Sequence, residues 1–132
     1  METIGSCHIV YPNDTETLAF PWGTINLLSE PALTGGRTMT FGEVIVEPGS
    51  GHSRHNHPNA DEVIFVIEGV VEQMLDDKPP VVIRAGACIW IPRGVYHGTM
   101  NSGSIPLRLI VVYAPAGEEE VLRALPEVTI RP

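Results

Sequence analysis

A chain of 132 residues, 43% hydrophobic and 18% charged, is long enough for one domain with a real core and too apolar to stay disordered. Its net charge of −8, with no basic stripe, argues against nucleic acid and anionic membranes as partners. No apolar run could span a bilayer, and the start METIGSCHIVYPNDTE lacks the pattern of a secretion signal. A cytoplasmic chain with unpaired Cys7 and Cys88 is therefore expected.

Thirteen glycines and twelve prolines punctuate the chain, as they do where short strands are joined by turns. TINLLS (24–29) reads as a strand ended by Pro31 and Gly35-Gly36, and RTMTFGEVIVEPG (37–49) as a β-branched strand ended by Pro48-Gly49. DEVIFVIEG (61–69) and VVEQML (70–75) form a tight hairpin at Gly69. VVIR (81–84), CIWIP (88–92) and LRLIVVYAP (107–115) follow as strands. In CIWIP, Cys88 is expected as a buried small hydrophobe, and Trp90, like Met100 further on, as core or pocket wall. Only GEEEVLRAL (117–125) has helical spacing, with Val121, Leu122 and Leu125 on one face, Glu119 and Arg123 four apart, and Pro126 as a stop. The pattern predicts a single all-β domain over 1–132, a sandwich or barrel with a short C-terminal helix.

The residues that promise chemistry lie in GSGHSRHNHPNADEVIFVIEG (49–69), which holds His52, His55 and His57 ahead of Asp61 and Glu62. In an extended segment residues two apart share a face, so His55 and His57 project together. Glu62 opens the apolar strand that follows, where a buried carboxylate needs a cation or several donors. Two imidazoles and a carboxylate converging on one point form a metal-site signature. His97, after the rigid Pro92-Arg93-Gly94 turn, is the candidate fourth ligand. By the same parity, Ser53 shares the face of His55, whereas His52 and Arg54 point away. Tyr96 either lines the pocket mouth or packs outside it, and Ile64, Val66, Trp90 and Val111 are placed on the apolar wall. His8 is read as a surface group, and Arg108 is not assigned a face. There is no nucleophile elbow, no phosphate-binding glycine loop and no supported Cys-His pair.

These two segments resemble the paired motifs of the cupin superfamily. The first matches at Gly49, His55, His57, Glu62 and Gly69, the second at Gly86, Pro92, Gly94, His97 and Asn101, with sixteen residues between them. Ala85 and Ala87 replace a Pro and an Asp that often flank the second-motif glycine. The resemblance implies a double-stranded β-helix, a jelly-roll barrel with its core over about 37–115, and a divalent ion (Fe, Mn, Ni, Co or Zn) held by His55, His57, Glu62 and His97. It implies a metal-dependent enzyme acting on a small organic molecule, and the expected wall of Ile64, Val66, Trp90 and Val111 favours an apolar or aromatic one. A dioxygenase leads, with cyclase, isomerase, lyase and decarboxylase behind it, and a non-catalytic metal- or ligand-binding protein is the alternative. A homodimer is also implied, with TINLLS offered as the strand that joins the partner's sheet.

Overall fold

The computed structural model describes residues 1–132. The strands are β1 (Glu2–Ile4), β2 (Cys7–Ile9), β3 (Thr17–Phe20), β4 (Gly23–Ser29), β5 (Thr40–Val46), β6 (Gly51–His55) and β7 (Asp61–Glu68). They continue with β8 (Val70–Leu75), β9 (Val81–Arg84), β10 (Cys88–Ile91), β11 (His97–Asn101), β12 (Leu107–Ala114) and β13 (Thr129–Arg131). Two short helices, α1 (Pro31–Thr34) and α2 (Glu118–Arg123), complete the chain with a 3-10 turn at Pro12–Asp14.

Every pairing is antiparallel. One sheet runs β10-β7-β12-β5-β4-β3-β13, a second runs β6-β11-β8-β9, and β1-β2 forms a separate hairpin. This is the all-β architecture expected from the turn spacing. The core follows from strand alternation. In β12, Leu107, Leu109, Val111 and Tyr113 are buried while the intervening residues are not, and in β7 Glu62, Ile64 and Val66 take the buried positions. Glu62 is thus the first inward position of an otherwise apolar row, opposite Tyr113 on one neighbour and Ile91 on the other.

Several sequence expectations need correction. TINLLS lies within β4, paired on both sides, with β3 and with β5, so it has no free edge for a partner's sheet. In β10 it is Ile89 and Ile91 that face inward; Cys88 and Trp90 face out, Trp90 with 64% of its surface exposed. Met100 is likewise exposed. In α2, Val121 is exposed, whereas Glu118, Glu119 and Leu122 are buried. Arg123 leaves Glu119 and makes a two-pronged ion pair with Glu30 at 2.7 and 2.8 Å. In each case the side of the element that meets the core is set by a neighbour distant in sequence, which local periodicity does not see.

Two contacts bring the motif loops together. Gly94, at φ +82 in the left-handed region that favours glycine, donates its N–H to the carbonyl of His57 at 2.9 Å. Asn56 Nδ2 donates back to the Gly94 carbonyl at 3.3 Å. Asn101, fully buried, donates to the carbonyls of Val46 and Ile105 and accepts from Gly103 N–H, anchoring the end of β11.

Candidate metal centre

The ligating atoms of His55, His57 and His97 lie within 4.8 Å of one another. Each arrives by a different route. His55 ends β6 and pairs directly with His97, which opens β11, while His57 sits in the loop beyond. The structure brings Glu62 to the same point, its Oε1 at 2.9 Å from His97 Nε2 and 3.4 Å from His57 Nε2.

The opposite edge of every ring is occupied. His55 Nδ1 meets the Ser53 carbonyl at 2.6 Å, His97 Nδ1 the Val95 carbonyl at 3.0 Å, and His57 Nδ1 the Glu118 carboxylate at 2.8 Å. A carbonyl only accepts, so Nδ1 must carry the proton on His55 and His97, and Nε2 is left as a lone pair. His57 Nε2, His97 Nε2 and Glu62 Oε1 are then three buried acceptors with no hydrogen-bond partner. The short distances to Glu62 are those of ion pairs, but no properly aligned hydrogen bond joins these atoms. Acceptors that face one another without a proton between them are a cost unless a cation lies there. Two donors each about 2.1 Å from one ion are roughly 3 to 3.4 Å apart, depending on whether it is octahedral or tetrahedral, so the spacings of Glu62 from His97 and His57 fit a divalent ion.

Electrostatics agree with that geometry. Burial alone would raise the Glu62 carboxyl, but the two imidazoles that face it, His57 and His97, bring it down to about 2, so it is ionised at neutral pH. Burial lowers His55 to about 3, so this imidazole stays neutral. For His57, burial opposes the proton, yet Glu62 and Glu118 together raise it above its ordinary value, so a cation bound here would have to displace a proton from Nε2. Tyr113, packed edge-on to His57 with centroids 5.0 Å apart, is pushed well up by burial and by the two carboxylates, and stays a neutral phenol.

The site opens into a cavity of about 30 Å³, room for one or two waters, lined by apolar groups including Trp22, Ile64, Leu109 and Val111 and by the polar His52, Thr99 and Tyr113. Ile64 and Val111 line this cavity, whereas Val66 lies deeper, in the core. Trp90 is on the outer face of its sheet, not on the pocket wall. Tyr96 is 47% exposed and holds the Arg54 guanidinium 4.7 Å from its ring centre, outside the cavity. Ser53 is exposed and contributes its backbone carbonyl rather than its side chain.

The parity assignment of His52 fails for an identifiable reason. His55 pairs with His97 but His52 pairs with Thr99, so β6 spends three residues where β11 spends two. This β-bulge puts one extra residue in β6 and swings His52 onto the face of His55. Its ring stacks on His55 at 3.9 Å between centroids and on Trp22 at 5.2 Å, and Trp22 stacks on Phe20 at 4.9 Å. Glu118 was also missed. Nothing local in GEEEVL marks that Glu118 and Glu119 turn inward, or that it is Glu118 that reaches a histidine.

A jelly-roll built around a three-histidine, one-carboxylate cluster defines a class of proteins. The family model described as "Cupin domain" matches residues 42–113, and the chain belongs to that family. Among curated relatives it is 33% identical to Protein SchB of Streptomyces halstedii over 93 residues, 70% of this chain and 67% of that one. It is 30% identical to Polyketide synthase CurC of Streptomyces cyaneus, over 70% of this chain and 60% of that one. It is 32% identical to Mannose-1-phosphate guanylyltransferase 2 of Escherichia coli O157:H7, but spans only 20% of it, so the activity of that longer protein does not follow from the match. Among solved structures, KdgF from Halomonas sp. superposes with a TM-score of 0.73 over 86% of this chain and 99% of that one. At 14% identity that likeness concerns the fold alone.

Proposed function

We propose that this chain is a metal-dependent enzyme in which His55, His57, His97 and Glu62 hold a divalent ion, acting on a small organic substrate that offers an enolisable carbonyl. The observation that carries the reading is the convergence of three buried polar atoms, His57 Nε2, His97 Nε2 and Glu62 Oε1, with no hydrogen-bond partner for any of them. When bound, the ion supplies Lewis acidity at an oxygen ligand and positions left over for substrate. The chain's own residues do the rest. Apolar walls exclude water, and the small cavity admits one end of a substrate rather than a whole ring. Thr99 and His52 are the polar groups beside that end, and Thr99 is held by its bond to Gln73 at 2.8 Å.

Chemistry at a carbonyl, as in a cyclase, isomerase or lyase, takes precedence here over the dioxygenase reading. It is supported by the similarity to a polyketide synthase protein and by the absence of any need for a redox-active ion. The deciding experiment is metal analysis of the purified protein, followed by 1,3-diketones, enols and catechols with product formation and O₂ uptake recorded together. Turnover without O₂ consumption supports the proposal. Stoichiometric uptake of O₂ restores the dioxygenase, and tight binding without turnover under any metal leaves a ligand-binding protein. A homodimer remains part of the reading, supported by the exposed Trp90 and Phe65 on the outer sheet face, and light scattering should give twice the 14.3 kDa chain mass.

A further inference from the structure

We infer that Glu118 is the positioning residue of His57, and that helix α2 is thereby a working part of the metal centre; this rests on the metal reading above. Glu118 lies beyond the segment that matches the family model, residues 42–113, and 61 positions from the ring it bonds. It is the first residue of α2 and only 3% exposed, and its Oε2 lies 2.8 Å from His57 Nδ1. A carboxylate is buried at this cost only against a partner that repays it.

Two consequences follow for the ligand. The bond fixes the tautomer, so Nε2 of His57 faces Glu62 and the other imidazoles with its lone pair. The negative charge also raises the basicity of His57 as a ligand, whereas His55 and His97 are oriented by neutral carbonyls. Charge balance points the same way. A divalent ion facing Glu62 alone would leave one positive charge in an apolar cavity, and Glu118 supplies the second negative charge.

Helix docking does not depend on this bond. Glu119 accepts from Thr40 Oγ1 and from Gly117 N–H, both at 2.8 Å, Leu122 lies in the core, and Arg123 is clamped to Glu30. Glu119 is as buried as its neighbour but touches no histidine, which makes it the natural control.

The test compares wild type, Glu118→Gln, Glu118→Ala and Glu119→Gln, measuring Co(II) affinity by chelator competition, the visible absorption spectrum of the Co(II) form, and the thermal midpoint of the metal-free form. Glu118→Gln is expected to weaken Co(II) about 10- to 100-fold and to shift the Co(II) bands, with the metal-free midpoint lowered no more than in Glu119→Gln, and Glu118→Ala to weaken it further. Glu119→Gln should lower the midpoint and leave affinity within about threefold, the size that separates a docking effect from the outer-partner effect. Wild-type affinity and spectrum in Glu118→Gln, or equal weakening in Glu119→Gln, would overturn the inference while leaving the metal site standing. Failure of the wild type to bind Co(II), Mn(II) or Zn(II) would overturn both.

Discussion

Two of the three imidazoles are held by their own neighbourhood and one by a distant part of the chain. His55 and His97 each bond the carbonyl two residues back, Ser53 and Val95. His57 bonds Glu118 across 61 residues. The first arrangement forms as soon as its loop does and carries no charge. The second exists only when α2 has docked, and it brings a carboxylate with it. Two of the imidazoles are therefore set locally, at the end of β6 and the start of β11, and the third reports on whether the whole domain has closed.

The largest way to break this contrast is to remove a ligand. His57→Ala and His97→Ala should each lose most of the bound metal by elemental analysis, a larger effect than the roughly 100-fold ceiling for losing an outer partner. Glu62→Gln should retain part of it, because an amide oxygen still coordinates. His52→Ala should retain metal although its ring touches His55, since it lies outside the three-histidine set. An empty site in His52→Ala with a full one in His97→Ala would reverse the proposed roles.

Removing the metal itself comes next. An ion present at about a thousandfold over its Kd stabilises the native state by about 4 kcal/mol. For a chain of this size that lowers the metal-free midpoint by on the order of 10 °C, read by calorimetry with and without chelator.

The metal-free protein then separates the two kinds of support by pH. His55 is held down to about 3, so its unfolded form takes a proton first and stability falls as pH drops from about 6.5 toward 3. Glu62, held at about 2, adds a further loss below its unfolded value near 4.5. His57 is raised, so its contribution is complete below about 6.5 and disappears as pH climbs through its folded value. Urea midpoints of the metal-free protein should peak near pH 6.5 and decline on both sides. A monotonic rise from pH 6.5 to 9 would contradict the Glu118–His57 arrangement.

The smallest expected effect is optical. Trp22 joins the stack through His52 to His55, whereas Trp90 stands on the outer face. In Trp90→Phe, Co(II) should quench the remaining emission, and in Trp22→Phe the exposed indole should respond to acrylamide but much less to Co(II). Trp90→Phe should cost at most about 0.5 kcal/mol, the usual size of a surface change.

Much of this was legible in the chain. Hairpin turns at Gly69 and strand alternation through VIFVI follow from backbone rules that need only near neighbours, and Glu62 is the inward residue of its own strand. The motif spacing likewise brought His55, His57, Glu62 and His97 into one hypothesis. What failed was parity across the bulge. Counting by twos sent His52 outward and Ser53 inward, because nothing in SGHSRH shows that β11 will advance two residues while β6 advances three.

The distinction is physical. Turn chemistry, strand period and the crowding of imidazoles beside a carboxylate are set by bonds between residues close in the chain, and the sequence by itself determined them. Which face of β10 turns inward, which strand stays at a sheet edge, where β6 bulges and which of three glutamates reaches His57 depend on surfaces that meet only after the chain has closed. Those were decided by the tertiary structure, because burial and the pairing of buried charge are properties of the assembled core and of no single segment.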